Sequence, residues 1–249
     1  MMIRVFKDKA ELGIDAAEFF IREANDAINY RGKFSVALSG GTTPNYMYEY
    51  LIKPEMTDRI RWEKVYIFWG DERCVSLDSS DNNAHNAFEL FLNKVPIVPS
   101  HIHRIQSDKA PREAARNYES VLRKHFGNQT PEFDMLFLGL GENGHTASLF
   151  PETSILQDKE HLAAAVYVEE LRMYRVSLTT EIINQARNIV FLVAGHNKAS
   201  TVQNVIEGVY NPEQLPAQLI KPVHGELYWY LDKDAASLLK EKSRETAAL

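Results

Sequence analysis

A chain of 249 residues, 45% hydrophobic and 25% charged, has the balance of a folded globular protein with a sizeable core, which excludes a disordered or fibrous polymer. Its formal net charge of −6 offers no general attraction for nucleic acid or an anionic membrane, so an anion must be held by a local cluster of basic groups. The single cysteine, Cys74, excludes an internal disulfide and a cysteine-pair zinc site, and it points to a reducing, cytoplasmic setting.

The first residues, MMIRVFKDKAELG, carry Arg4, Lys7, Asp8 and Lys9 and are unlike a signal peptide; no later run approaches the roughly 18 apolar residues of a membrane span. A strand is expected over 3–6, followed by an amphipathic helix over 9–30 with Leu12, Ala16, Phe19, Phe20, Ala24, Ala27 and Ile28 on one side. Strands at 34–38 and 65–69 flank a helix at 44–51. Helices at 84–92 and 111–126 precede a strand at 133–138. Further strands are expected at 163–168, 172–177, 189–193 and 227–231, with helices at 180–186 and 197–207. Strands that alternate with helices, most of them apolar on both faces, predict βαβ units. The fold class is therefore α/β, an open, mostly parallel sheet with helices on both faces, Rossmann-like. No repeat, low-complexity tract or Gly/Ser-rich linker divides the chain, so one domain over 1–249 is expected.

Ligands of open α/β sheets bind at the carboxyl ends of the strands. At 139–151 the sequence GLGENGHTASLFP follows an apolar strand and places His145 between Gly144 and the hydroxyls of Thr146 and Ser148. An imidazole there is a candidate proton-transfer group; the plainer reading is a turn histidine that caps the next helix. At 39–44, Ser39-Gly40-Gly41-Thr42-Thr43-Pro44 lies between a strand and a helix. Its glycines let backbone N–H groups approach an anion, with Thr43 as N-cap and Pro44 at the first helical position. No lysine follows as in a P-loop, and no third glycine as in the dinucleotide fingerprint, which argues against ATP and NAD. At 69–73, Trp69-Gly70-Asp71-Glu72-Arg73 puts a guanidinium at a strand end, where Asp71 or Glu72 would fix its fork; the plainer reading is a solvated, salt-bridged loop. Lys198 lies past a strand, near the start of a helix. Arg175 lies inside a strand and by position alone reads as an edge salt bridge.

Other features carry less. His101 and His103 have chelating spacing, but no Cys or carboxylate cluster completes a ligand set, so no metal is expected. His196 shares a strand-exit position. Asn82, Asn83 and His85 enter a helix, where an asparagine caps or touches sugar hydroxyls. Cys74 has no neighbouring base, which argues against a thiolate nucleophile.

The segments GLGENGHTASLFP, ALSGGTTP and FWGDER together resemble the 6-phosphogluconolactonase family, whose usual form of the first is G-L-G-x-D-G-H-T-A-S-L-F-P. The likeness runs from about Ser35 to Lys198 and has one departure, Asn143 in place of the family's Asp. It implies hydrolysis of 6-phospho-D-glucono-1,5-lactone in the oxidative branch of the pentose phosphate pathway, with no cofactor. Its implied partner is a sugar phosphate lactone rather than nucleic acid or membrane, and its implied state is a monomer or small homo-oligomer. His145, Asn143 and Arg73 would then serve catalysis, and Ser39, Gly40, Gly41, Thr42, Arg73, Arg175 and Lys198 would hold substrate and its phosphate. Asn143 offers an oxygen that orients the imidazole but no charge. The related glucosamine-6-phosphate deaminases read D-G-H-I-A-F-N-E-P and D-E-Y, where this chain has Phe150 for the relay Glu and Arg73 for Tyr. A non-catalytic sugar-phosphate sensor is a third reading, opposed by the retained His145.

Overall fold

The computed structural model describes residues 1–127 and 131–241. The chain enters through β1 (Met2–Phe6) and the long helix α1 (Lys9–Arg31). The Asp8 carboxylate starts α1 by accepting the N–H groups of Ala10 and Glu11 at 3.0 Å, and Gly32, at φ 78°, ends it. Next come β2 (Phe34–Leu38), α2 (Asn45–Leu51), the single turn α3 (Pro54–Thr57), β3 (Val65–Trp69), β4 (Asp71–Arg73), α4 (Asn83–Leu90) and α5 (Pro111–Phe126). The second half holds β5 (Met135–Leu138), β6 (Ala163–Val168), β7 (Met173–Leu178), α6 (Thr180–Ile183), β8 (Asn188–Val193), α7 (Ala199–Glu207) and β9 (Glu226–Asp232).

Six strands pair in parallel in the order β1-β9-β8-β5-β2-β3. Every residue of β2 and β5 is buried, as expected of central strands covered on both faces. From β2 the chain builds outward to β3, whereas β5, β8 and β9 build toward the opposite edge. The direction of winding reverses between β2 and β5, so the connections leaving their carboxyl ends part and open a crevice.

Two strands depart from the expected parallel arrangement. β6 and β7 pair antiparallel with each other, and β7 pairs with β4, which makes a separate three-stranded sheet. Only residues 169–172 connect β6 to β7, enough for a hairpin and far too few for the crossover that parallel neighbours need. Gly70 joins the two sheets. Its N–H donates to the Leu38 carbonyl at the end of β2 (2.9 Å), and its carbonyl accepts from Leu178 N–H of β7 (2.8 Å). A continuous apolar cluster includes Phe68 and Phe137 of the parallel sheet with Val176 and Leu178 of the small one.

Two helix expectations also shift. The helix expected at 180–186 is one turn, because Asn184 turns its amide to the Leu219 carbonyl (2.9 Å) and the Lys221 N–H (2.7 Å). α2 starts at Asn45 with no side-chain cap, so Thr43 does not cap it and Pro44 lies one position before it. No helix of the described residues is long and apolar enough to cross a membrane.

β3 is an edge strand, and the backbone of its last residue, Trp69, faces away from β2. Its N–H donates to the Tyr118 hydroxyl of α5 at 2.9 Å, and its carbonyl accepts from that hydroxyl at 2.8 Å. Tyr118 is 2% exposed, so no solvent replaces it. Tyr118→Phe should cost about 2 kcal/mol by leaving buried backbone groups unpaired. Urea unfolding should show a lower midpoint at an unchanged m-value.

Candidate active site

The crevice between β2 and β5 is a cleft of about 280 Å³. The turn after β2 lines it with Ser39, Gly40 and Gly41, the turn after β5 with Gly139, Leu140, Gly141, His145 and Ala147. Gly70, Asp71, Arg73, Asn83, Arg175 and Lys198 complete the wall. Seven of the expected site residues, Ser39, Gly40, Gly41, Arg73, His145, Arg175 and Lys198, therefore meet in one place. Thr42 does not: it is exposed in the turn and off the cleft wall. Asn143 lies behind the imidazole rather than on the wall.

The His145 turn is tightly determined. Gly144, at φ 81°, donates to the Gly141 carbonyl (3.0 Å), and Gly141 N–H donates to the His145 carbonyl (2.8 Å). Thr146 donates its hydroxyl to the Gly139 carbonyl at 2.8 Å, and Ala147 takes a left-handed φ of 46°. A side chain at 141 would displace the imidazole, because a Cβ there would lie 2.0 Å from His145 Nδ1. The ring stacks on Phe150 with centroids 3.9 Å apart and planes 17° off parallel.

Asn143 Oδ1 accepts from His145 Nδ1 at 2.6 Å and from His145 N–H at 3.2 Å. With that oxygen as acceptor the ring proton sits on Nδ1, and Nε2 keeps its lone pair. Burial first, then the charges of Arg175, Lys198 and Arg73, push the His145 pKa down to about 4. The imidazole is thus neutral at pH 7, in the form that accepts a proton. Glu142 does not act on the ring: its carboxylate accepts from Asn197 (2.7 Å) and its carbonyl from the Thr201 hydroxyl (2.7 Å), which ties the turn to α7.

The two arginines are cross-strand partners. Arg73 of β4 stands opposite Arg175 of β7, a like-charged pairing that destabilises a sheet unless an anion lies between. Both Nε atoms are buried without a hydrogen-bond partner among the described residues. The expected role of the neighbouring acids is corrected here. Glu72 turns away from Arg73's guanidinium and caps α4, accepting from Arg73 N–H (2.9 Å), Asn83 N–H (2.8 Å) and Ala84 N–H (2.9 Å). Arg73 instead donates to the Asp81 carbonyl at 2.7 Å. Asp71 accepts the Ser148 hydroxyl at 2.5 Å and pairs with Arg175 at 3.9 Å; Arg175 does make a salt bridge, but from the middle strand of the small sheet and on the cleft wall rather than at a sheet edge. Lys198 immediately precedes α7.

Of the asparagines, Asn82 caps α4 through His85 N–H (2.8 Å), whereas Asn83 reaches the cleft and holds the Asp71 carbonyl (3.0 Å). Gly40 must lack a side chain, since a Cβ there would lie 2.1 Å from Asn83 Oδ1. Ala147 was not singled out in the sequence; its left-handed backbone leaves no compositional mark. His196 is exposed and off the cleft. His101 and His103 stack beside Tyr66 and Phe68, and no metal-binding cluster occurs among the described residues.

Comparison with known proteins gives the family. Residues 7–229 match the family model described as glucosamine-6-phosphate isomerases/6-phosphogluconolactonase. The chain belongs to that family. A 6-phosphogluconolactonase of Synechocystis sp. is 39% identical over 218 residues, covering 86% of this chain and 88% of the relative. A probable 6-phosphogluconolactonase 2 of Oryza sativa subsp. indica is 34% identical over 253 residues, covering 95% and 89%. Among solved structures, the devB protein superposes with a TM-score of 0.87 at 30% identity, covering 96% of this chain and 99% of that one. This family member carries Asn143, which contacts both His145 and Glu170.

An NMR titration should find His145 near pH 4. Gly141→Ala should push the ring off Phe150 and Asn143 and move its pKa up toward the ordinary value of about 6.5, because desolvation is the largest cause of the depression.

Proposed function

We propose that this protein hydrolyses 6-phospho-D-glucono-1,5-lactone to 6-phospho-D-gluconate in the oxidative branch of the pentose phosphate pathway, with His145 as general base. The observation that carries the reading is a neutral imidazole sharing one cleft with three cations, Arg73, Arg175 and Lys198. Membership of the family and the names of its relatives support the substrate.

His145 Nε2 takes a proton from a water that attacks the lactone carbonyl carbon. The carbonyl oxygen becomes an oxyanion. Arg175, whose charge acts most strongly of the three on the imidazole, is the cation assigned to stabilise the oxyanion. Collapse of the intermediate breaks the bond to the ring oxygen, which receives the proton back from His145 and leaves as a hydroxyl. Arg73 and Lys198 hold the phosphate, with the N–H groups of the Gly40-Gly41 turn as further donors. No cofactor enters this cycle. The sugar phosphate lactone is the partner, and a monomer or small homo-oligomer in the cytoplasm is the proposed state. The buried cluster spanning both sheets supports one domain.

The deaminase reading finds no support at the ring. Where that family places its relay carboxylate, Phe150 packs flat on His145.

His145→Ala should lower turnover at least ~10²-fold with native circular dichroism, the size of general acid–base help. Arg73→Ala and Lys198→Ala should raise KM for the phosphorylated lactone, as loss of a charge-assisted partner worth ~1.5–3 kcal/mol requires. Their effect on unphosphorylated gluconolactone should be small; equal losses on both substrates would show that neither residue holds phosphate.

The imidazole works only when deprotonated, so the rate falls as pH drops through its pKa. For kcat/KM the free-enzyme value of about 4 applies. A bound phosphate dianion offsets the three cations, so the limb of kcat should lie at higher pH. Rates from pH 3.5 to 8, corrected for spontaneous hydrolysis and for the substrate's own phosphate ionisation near pH ~6, test this separation.

A further inference from the structure

Asn143 raises a difficulty that an aspartate would not. A carboxylate has two oxygens and accepts from Nδ1 whichever way it turns. A carboxamide has one oxygen and one NH2. Turned the other way, Asn143 would donate to Nδ1, drive the ring proton to Nε2 and remove the lone pair that the proposed water attack uses. In this chain the side chain at 143 therefore decides the tautomer as well as the ring orientation.

Two contacts hold the amide. Its oxygen accepts from His145 N–H at 3.2 Å, and its NH2 donates to Glu170 Oε2 at 3.3 Å. Glu170 lies in the short turn between β6 and β7, on the same hairpin that carries Arg175. Reversing the amide would set its oxygen against the Glu170 carboxylate and its NH2 against a backbone N–H, so both contacts would become repulsive. We propose that Glu170 is a positioning residue which, through Asn143, holds His145 in the Nδ1–H tautomer. The relay runs from carboxylate to amide to imidazole, and it returns a carboxylate to the histidine's hydrogen-bond chain at one residue's remove.

The inference rests on His145 as the proposed base, but its primary test does not. In ¹⁵N NMR of the wild-type chain above pH 6, His145 should show a protonated Nδ1 and a bare Nε2. In Glu170→Ala the Nε2–H form should become populated. Glu170→Gln keeps an oxygen that accepts from the amide and should restore the wild-type spectrum. An unchanged tautomer in Glu170→Ala overturns the proposal, whatever the His145 variant does to turnover.

A kinetic cycle supplies the second readout. Glu170→Ala should lower kcat roughly three- to tenfold, as loss of one polar contact to a charged group allows, with KM little changed. With Asn143→Asp in the background the same change should cost nothing or raise kcat, because two carboxylates would then face each other. Equal losses in both backgrounds would mean that Glu170 supports the turn rather than the amide, and would overturn the proposal. Should His145→Ala retain full turnover while the tautomer still responds to Glu170, the mechanism fails and the positioning role stands.

Discussion

The cleft depends on one buried carboxylate. Asp71 is 7% exposed, accepts the Ser148 hydroxyl of the histidine turn at 2.5 Å and faces the Arg175 guanidinium at 3.9 Å. Its own carbonyl is held by Asn83 at the head of α4. Three segments, the histidine turn, β7 and the head of α4, therefore converge on a single residue of β4. A buried charge is tolerable only when paired and hydrogen-bonded, so the need to satisfy Asp71 constrains the histidine turn and the arginine strand together.

Two arginine Nε atoms beside the cleft lack a hydrogen-bond partner among the described residues. Two guanidiniums in cross-strand register, each with a buried and unpartnered Nε, raise the positive potential of the cleft. That potential has two consequences of one origin. It favours an anion in the cleft, and it adds to burial, the larger cause, in disfavouring the imidazolium form of His145. The cations that would favour an anion in the cleft thus also help, second to burial, to keep the imidazole neutral.

The small antiparallel sheet is what makes this arrangement possible on a doubly wound scaffold. The parallel sheet by itself delivers glycine turns to its carboxyl edge, which supply backbone donors but few side-chain charges. Gly70 lets the chain pass directly from β3 into β4, and the β6–β7 hairpin then pairs alongside. Arg175 and Glu170 both arrive on that hairpin, one to the cleft wall and one to the rear of the histidine.

Much of this was legible in the residues themselves. Apolar runs such as 34–38 and 133–138, buried on both faces, read as interior strands, and glycine-rich turns after them marked where ligands bind. His145 and Lys198 lie a few residues past strands and Arg73 ends one, so their place in the crevice came from local order along the chain. What local order does not contain is pairing between distant segments. The antiparallel association of β4 with β7 turned Arg175 from a strand residue into a wall of the cleft, and Glu72 proved to cap a helix eleven residues on instead of holding Arg73. The Asn143 amide has the same composition in either orientation. Beside the local His145 N–H, the contact on its NH2 is a carboxylate brought up from residue 170 by tertiary folding, which the sequence does not record because hydrogen-bond direction depends on neighbours in space and the sequence records neighbours in line.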